Sequence, residues 1–214
     1  MKEVLSTCLL IICMFYTYNT YAFSLVQKRL YNIKHELHSM ASFSPLNPYS
    51  TGYGIDVGYT WHFQSMWAYE IMRLSYDFNI PSILYKKIDD TYRYNLQATP
   101  PYEALSWKIS SHIFWKPLYG KNTLLNNYFI RTEWYFLTGL GVGGITQESP
   151  LLFPRPHSKD ALVYGLDTGV GFRWWISDSL SLRTELVSYV YQYHQSIEHI
   201  LSLKVGTSFT WVDL

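Results

Sequence analysis

Residues 161–175 alternate in character one by one, and this period of two constrains the chain more than any other feature. Leu162, Tyr164, Leu166, Thr168, Val170, Phe172 and Trp174 make one face, while Gly165, Asp167, Gly169, Gly171 and Arg173 make the other. Alternation of this kind belongs to a strand, in which successive side chains point to opposite sides. Seven more stretches read the same way, at 34–44, 52–63, 67–79, 104–116, 127–142, 180–192 and 199–211. Each roughly matches or exceeds the 9 to 11 residues that a tilted strand needs to cross a bilayer.

Alternation also occurs in soluble sandwiches, so the location of the charges decides. With the apolar faces turned outward, Asp56, Glu70, Lys108, Arg131, Glu133, Asp167, Arg173, Arg183, Glu185 and Lys204 fall inside. They share the interior with Gly52, Gly54, Gly58, Gly139, Gly141, Gly169, Gly171 and Gly206. A soluble sandwich has the reverse arrangement, with bulk inside and charge outside. A closed sheet satisfies every backbone donor and acceptor in lipid. The expected fold is therefore all-β, an eight-stranded antiparallel up-and-down transmembrane β-barrel over 34–214 with both termini periplasmic. Such a barrel has just enough interior for side chains to fill it. Its five acids and five bases are expected to cross-link as a lumen charge network that closes the bore. Arg73 is the exception, falling on the lipid-facing parity, and a bulge near Met72 would re-aim it.

The first 22 residues read as a signal peptide. Val4 to Phe15 is apolar for about a dozen residues, shorter than the roughly 20 of a spanning helix. Cleavage after Ala22 leaves residues 23–33 as a periplasmic lead and removes both cysteines, Cys8 and Cys13. The mature chain then has no disulfide and no thiolate metal site. A net charge of +1 without a Lys/Arg run argues against nucleic acid as a partner.

Connections alternate in length: 62–66 and 177–179 are tight, whereas 80–103 and 143–160 are long, polar and proline-bearing. Long loops face outward in bacterial barrels and short turns face the periplasm. Trp61, Phe63, Trp67, Trp115, Trp174, Trp175 and Trp211 gather at the short-turn ends as membrane-interface aromatics. Tyr53, Tyr76, Tyr102, Tyr164, Tyr189 and Tyr193 lie near the other ends and are expected to form a second girdle. Leu201, Leu203, Val205, Thr207, Phe209 and Trp211 read as the lipid face of the closing strand. The segment 117–126 is long for a periplasmic turn.

Two blocks of residues carry a resemblance. The first is Val26-Gln27-Lys28-Arg29-Leu30-Tyr31, Lys34-His35-Glu36-Leu37, Pro45-Leu46-Asn47-Pro48-Tyr49, Gly58-Tyr59-Thr60-Trp61-His62-Phe63 and Trp67-Ala68-Tyr69-Glu70. The second is Trp115-Lys116-Pro117-Leu118-Tyr119-Gly120-Lys121, Leu124-Leu125-Asn126-Asn127, Glu133 and Gly139-Leu140-Gly141-Val142-Gly143. In order and spacing they resemble the outer-membrane β-barrel domain family of myxobacteria and Bdellovibrio-like bacteria, small barrels of OmpA-like type. The resemblance implies a small barrel in a Gram-negative outer membrane, with a periplasmic lead and no assigned catalytic site. The chain departs from usual bacterial barrels at its end, where Trp211 precedes Val212-Asp213-Leu214.

Candidate chemistry is sparse. Of the seven histidines, none pairs at metal-ligand spacing on a helix, and His35 and His38, three apart on a strand, face opposite ways. His157, Ser158 and Asp160 supply the residue types of a hydrolase triad, but neighbours in sequence seldom reach triad geometry. Glu133 and Glu185 lie near Arg131, Arg173 and Arg183, which favours salt bridges over acid–base work. The glycines of 139–144 precede no helix pattern, so they read as space for bulky lumen neighbours and not as a phosphate loop. No metal, cofactor or catalytic residue is expected. The leading expectation is a non-catalytic envelope protein with a structural or assembly-anchoring role. A narrow pore for ions or small solutes is the alternative, and a lipid-modifying enzyme the third. Expected partners are outer-membrane lipid, the barrel assembly machinery during biogenesis, and other envelope proteins.

Overall fold

The computed structural model describes residues 33–45, 50–84, 86–87, 102–124, 128–148, 159–193 and 196–211. Eight strands occupy nearly all of them: β1 His35–Ser44, β2 Ser50–Trp61, β3 Trp67–Pro81, β4 Tyr102–Leu124, β5 Tyr128–Glu148, β6 Lys159–Trp175, β7 Leu180–Tyr193 and β8 Ser196–Trp211. Every strand pairs antiparallel with its sequence neighbours, and β1 closes the sheet against β8. At the seam His35 lies opposite both Trp61 and Trp211. Closure leaves no sheet edge along the wall, which is what a strand-built membrane protein requires. The signal peptide and nearly all of the lead lie outside the described residues.

The wall is inverted relative to a water-soluble protein. Leu37, Ile55, Val57, Leu74, Leu140, Leu162, Leu166, Leu203 and Phe209 are all exposed on the outer surface. The fully buried side chains include Arg73, Arg183, Glu36, Glu70 and Glu185. An apolar exterior of this extent is far larger than the patches that soluble monomers tolerate, and it suits a hydrocarbon surrounding.

A bulge in β3 resolves the parity of Arg73. The β2–β3 register slips between Tyr59 and Thr60, and the β3–β4 register slips between Glu70 and Arg73. Ile71 and Met72 consequently both face outward, and Arg73 returns to the lumen beside Glu70. Ser111 Oγ donates to the Glu70 carbonyl (3.0 Å) and lies at hydrogen-bond distance from Tyr69 Oη (2.9 Å), anchoring the outer side of the bulge.

Strands β4 and β5 are longer than their sequence pattern suggests. Their ladder continues from Leu118↔Trp134 to Leu124↔Tyr128, so 117–124 is strand and not a turn. β3 leaves it at Trp67↔Trp115 and β6 at Arg131↔Trp175, so the rungs from Asn122↔Ile130 to Leu124↔Tyr128 have no flanking strand. A two-stranded ribbon thus projects beyond the wall on the short-turn side. At the opposite rim β5 reaches Glu148, so 143–148 also belongs to strand and not to the long loop.

Candidate functional site

The interior of the barrel is where the chain concentrates its polar chemistry. Alternation brings six acids, Glu36, Asp56, Glu70, Glu133, Asp167 and Glu185, and six bases, Arg73, Lys108, Lys116, Arg173, Arg183 and Lys204, into burial among the described residues. The two sets balance. A lone ion taken out of water costs several kcal/mol, so its position depends on partners.

These partners form one long chain and one separate cluster. Beginning at the short-turn rim, Arg173 meets Glu133 (3.3 Å) and Glu36 (2.7 Å), and Glu36 also accepts from Arg183 (2.7 Å). Arg183 pairs with Glu185, which accepts from Arg73 (2.7 Å) and from Tyr135 Oη (2.7 Å). Arg73 continues to Glu70 (3.0 Å), and His112 bridges from Glu70 to Asp167 (2.9 Å to the latter). Asp167 ends the chain on Lys108 (2.7 Å), whose ammonium lies 4.5 Å from the centre of the Tyr189 ring. His38 Nε2 approaches Glu70 at 3.1 Å. Asp56 takes Lys204 (2.6 Å) and the Ser75 hydroxyl in the separate cluster.

A branch reaches the rim through His62. Lys116 Nζ donates to His62 Nδ1 (2.8 Å) while His62 Nε2 donates to Glu36 (2.7 Å), a pair of roles that only the neutral ring can fill. Burial first, and the Lys116 ammonium second, push His62 down from 6.5 to about 4.

Aromatic rings fill the space between the ions. Tyr135 packs edge-on against Phe114 at 5.3 Å, and Arg183 lies 5.4 Å from the centre of each ring. Gly171 leaves the place that Tyr135 occupies, since a Cβ there would run into the phenol ring. Nearer the loop-bearing rim, Leu105, Ile145, Val163, Tyr189 and Tyr191 form an apolar cluster on the lumen side of β4 to β7. Tyr189 stacks on Tyr191 at 5.3 Å and donates to the carbonyl of Gly141 (3.2 Å).

Nine of the ten charged positions read from the sequence lie buried in this interior. Arg131 does not. It has the lumen parity but sits at the rim with its side chain 32% exposed, paired with Asp178 of the β6–β7 turn. Glu36, Arg73, Lys116, His38, His62 and His112 join the network without having been assigned to it. The parity of Lys108 would have found Lys116, and that of His38 would have found Glu36.

The aromatic positions divide. Trp61, Trp67, Trp115 and Trp211 are exposed on the outer surface near the short turns, and Trp174 is half-buried there, edge-on to Phe172. Trp175 faces the lumen instead, 5.2 Å from the Arg173 guanidinium, because neighbours on a strand cannot share a face. At the other rim Tyr53, Tyr76 and Tyr164 are exposed, Tyr164 by 68%. Tyr189 is buried inside with the parity of Arg183 and Glu185, and Tyr193 packs against the same interior cluster. The second girdle is to that extent smaller than expected. The side chain of Tyr102 lies outside the described residues, as do His157, Ser158 and the side chain of Asp160. Among the described residues no group of three or more His, Cys, Asp or Glu is arranged to hold a metal ion.

No protein-family model and no curated protein matches the chain. Solved structures do. The N-terminal β-barrel domain of Pseudomonas aeruginosa OprF aligns over 84% of this chain and 98% of its own, at 10% identity and a TM-score of 0.50. Neisserial surface protein A aligns over 85% and 98% (11% identity, TM-score 0.45), and Yersinia pestis Ail over 83% and 97% (12% identity, TM-score 0.44). The OprF domain shares the fold, which is that of the small eight-stranded outer-membrane barrels. At such identities the likeness extends to fold alone.

Proposed function

We propose that this protein is a non-catalytic barrel of the Gram-negative outer membrane, with its lumen closed by a salt-bridge network and a structural or envelope-anchoring role. One observation carries the reading: each of six buried acids is held by a buried arginine or lysine, with tyrosines between them. Groups held this way are acceptors and donors already in use. Glu133 and Glu185, the nearest thing to a catalytic carboxylate pair, are each engaged by arginine. The outward apolar band supports membrane insertion, and the ribbon of 122–124 and 128–130 offers an element outside the wall for contact with other envelope proteins. Export through residues 1–22 and assembly by the barrel machinery belong to the same proposal. Kinship with the myxobacterial and Bdellovibrio-type barrel family is likewise proposed, on the order and spacing of the two residue blocks.

Planar-bilayer conductance tests the closure. Folded protein, identified by its heat-dependent gel shift, is expected to insert without discrete current steps. Steady openings would replace this reading with the narrow pore.

A further inference from the structure

We propose that a groove in the outer wall holds one acyl chain of an outer-leaflet lipid, entering beside Tyr164 and ending at the β3 bulge. The proposal rests on the membrane reading and adds a ligand to it. Between β3 and β6 the lipid-facing surface is not smooth. A groove of about 510 Å³ crosses it, walled by Ile71, Ile109, Leu140, Val142, Tyr164 and Leu166. Register brings these residues together: Ile109 lies opposite Val142, Val142 opposite Tyr164, and Leu140 opposite Leu166. The bulge supplies the β3 side, since the register slip between Glu70 and Arg73 leaves Ile71 and Met72 both turned outward. Ser111 lies opposite Leu140, and its short side chain leaves room between Ile71 and Leu140. Its hydroxyl is engaged by the Glu70 carbonyl (3.0 Å) and Tyr69 Oη (2.9 Å), so the lower part of the groove meets an occupant with hydrocarbon.

Depth selects the occupant. A strand rising about 3.3 Å per residue at a tilt of about 40° advances roughly 2.5 Å along the membrane normal per residue, so a band of about 25 Å takes about ten residues. Ser111 stands four residues above Trp115 and Ile71 four above Trp67, which puts both about 10 Å from the short-turn interface. Leu166 and Tyr164 stand eight and ten residues above Trp174, at about 20 and 25 Å. The groove therefore opens at the loop-side edge of the hydrocarbon and slants down past its middle. That is the course of a single chain hanging from the outer leaflet, with Tyr164 at the level where tyrosines meet headgroups. Lipid tails are as apolar as the wall, so what retains this chain is contact on several sides at once, which a flat wall cannot give.

Photolabelling tests the groove. The full folded chain is placed in phosphatidylcholine vesicles with a trace of phosphatidylcholine that carries a diazirine midway along one acyl chain, and adducts are mapped by peptide mass spectrometry. Ile109, Leu140 and Val142 are expected to be labelled about tenfold more than Leu203 and Val205, which are exposed on β8 at the far wall. Val142→Trp and Ile109→Trp fill the groove from different strands, and each should remove the excess at Leu140 while the gel shift persists. Val205→Trp should leave it unchanged. Even labelling around the wall, or an excess at Leu140 that survives in a folded filling variant, would overturn the proposal. An oligomer in which Leu140 and Val142 are shielded from the label would overturn it in favour of a second copy as the occupant. A chain that takes no label from the vesicles defeats the membrane reading itself, whereas an inserted barrel labelled evenly defeats only the groove.

Discussion

Arg173 shows how much a single lumen residue carries. It bonds to both Glu133 and Glu36, and is one of two guanidinium groups on Glu36. Replacing it with Ala leaves those carboxylates buried and short of a partner, which costs about 3 to 5 kcal/mol for a broken buried pair. Asp178→Ala removes the partner of Arg131 at a site where the carboxylate is 92% exposed, and should change stability hardly at all. Urea titration followed by the gel shift separates the two, and equal loss would mean that inside and outside have been confused. His62 makes a second residue-scale prediction. Its folded value of about 4 lies below 6.5, so the unfolded chain binds more protons between these limits. Its contribution is complete above about pH 6.5 and is lost as pH falls towards 4, on the order of 3 kcal/mol in total. His62→Gln should therefore flatten the dependence of unfolding on pH in that window. The facing of most of these side chains was legible from parity, as for Asp167, Arg173 and Glu185. Their pairing was not. Glu36 meets the Arg183 guanidinium from 147 residues away, a closeness that only closure of the sheet creates.

At the scale of the element, the bulge in β3 and the length of β4 mark where period-two reading works and where it stops. The misplaced parity of Arg73 signalled an extra residue near Met72, and Ile71 and Met72 are the outward pair that absorbs it. Deleting Met72 should then leave strict alternation, with Glu70 and Arg73 still inside and Ile71 between them. Deleting Leu74 should turn Ser75, Asp77 and Asn79 to the lipid side and Tyr76 and Phe78 into the bore, because a one-residue slip exchanges the faces of a strand. The gel shift of refolded protein should persist in the first deletion and vanish in the second. Loss in both would show that the bulge itself, with its Ser111 anchor, is required for assembly. The ribbon was illegible for a different reason. Pro117, Gly120, Asn126 and Asn127 are turn-forming types, and they hide the strand character of the segment between them. Trp174-Trp175 failed through disregard of the same rule that succeeded elsewhere: their adjacency puts one outside and one in.

Across the whole molecule, the proposed closure of the bore draws on two unlike clusters in series. Near the short turns the filling is ionic, with Arg183, Glu185 and Tyr135 packed against Phe114. Near the loops it is apolar, built from Leu105, Ile145, Val163, Tyr189 and Tyr191. Each layer answers a different difficulty. Ion pairs between buried side chains hold separate strands together, and removing one partner is costly. An apolar layer excludes water without needing partners, and the glycines opposite it, such as Gly165 against the Tyr189 ring, give it room. Closure in series predicts non-additive conductance. Tyr189→Ala with Tyr191→Ala should remain silent in a planar bilayer, since the ionic layer is intact. Tyr135→Ala with Arg183→Ala should also remain silent, since the apolar layer is intact. All four substitutions together should give discrete openings, provided the barrel still shows its gel shift. Current from either double variant alone would mean that one layer does the sealing and that the other fills space without closing it.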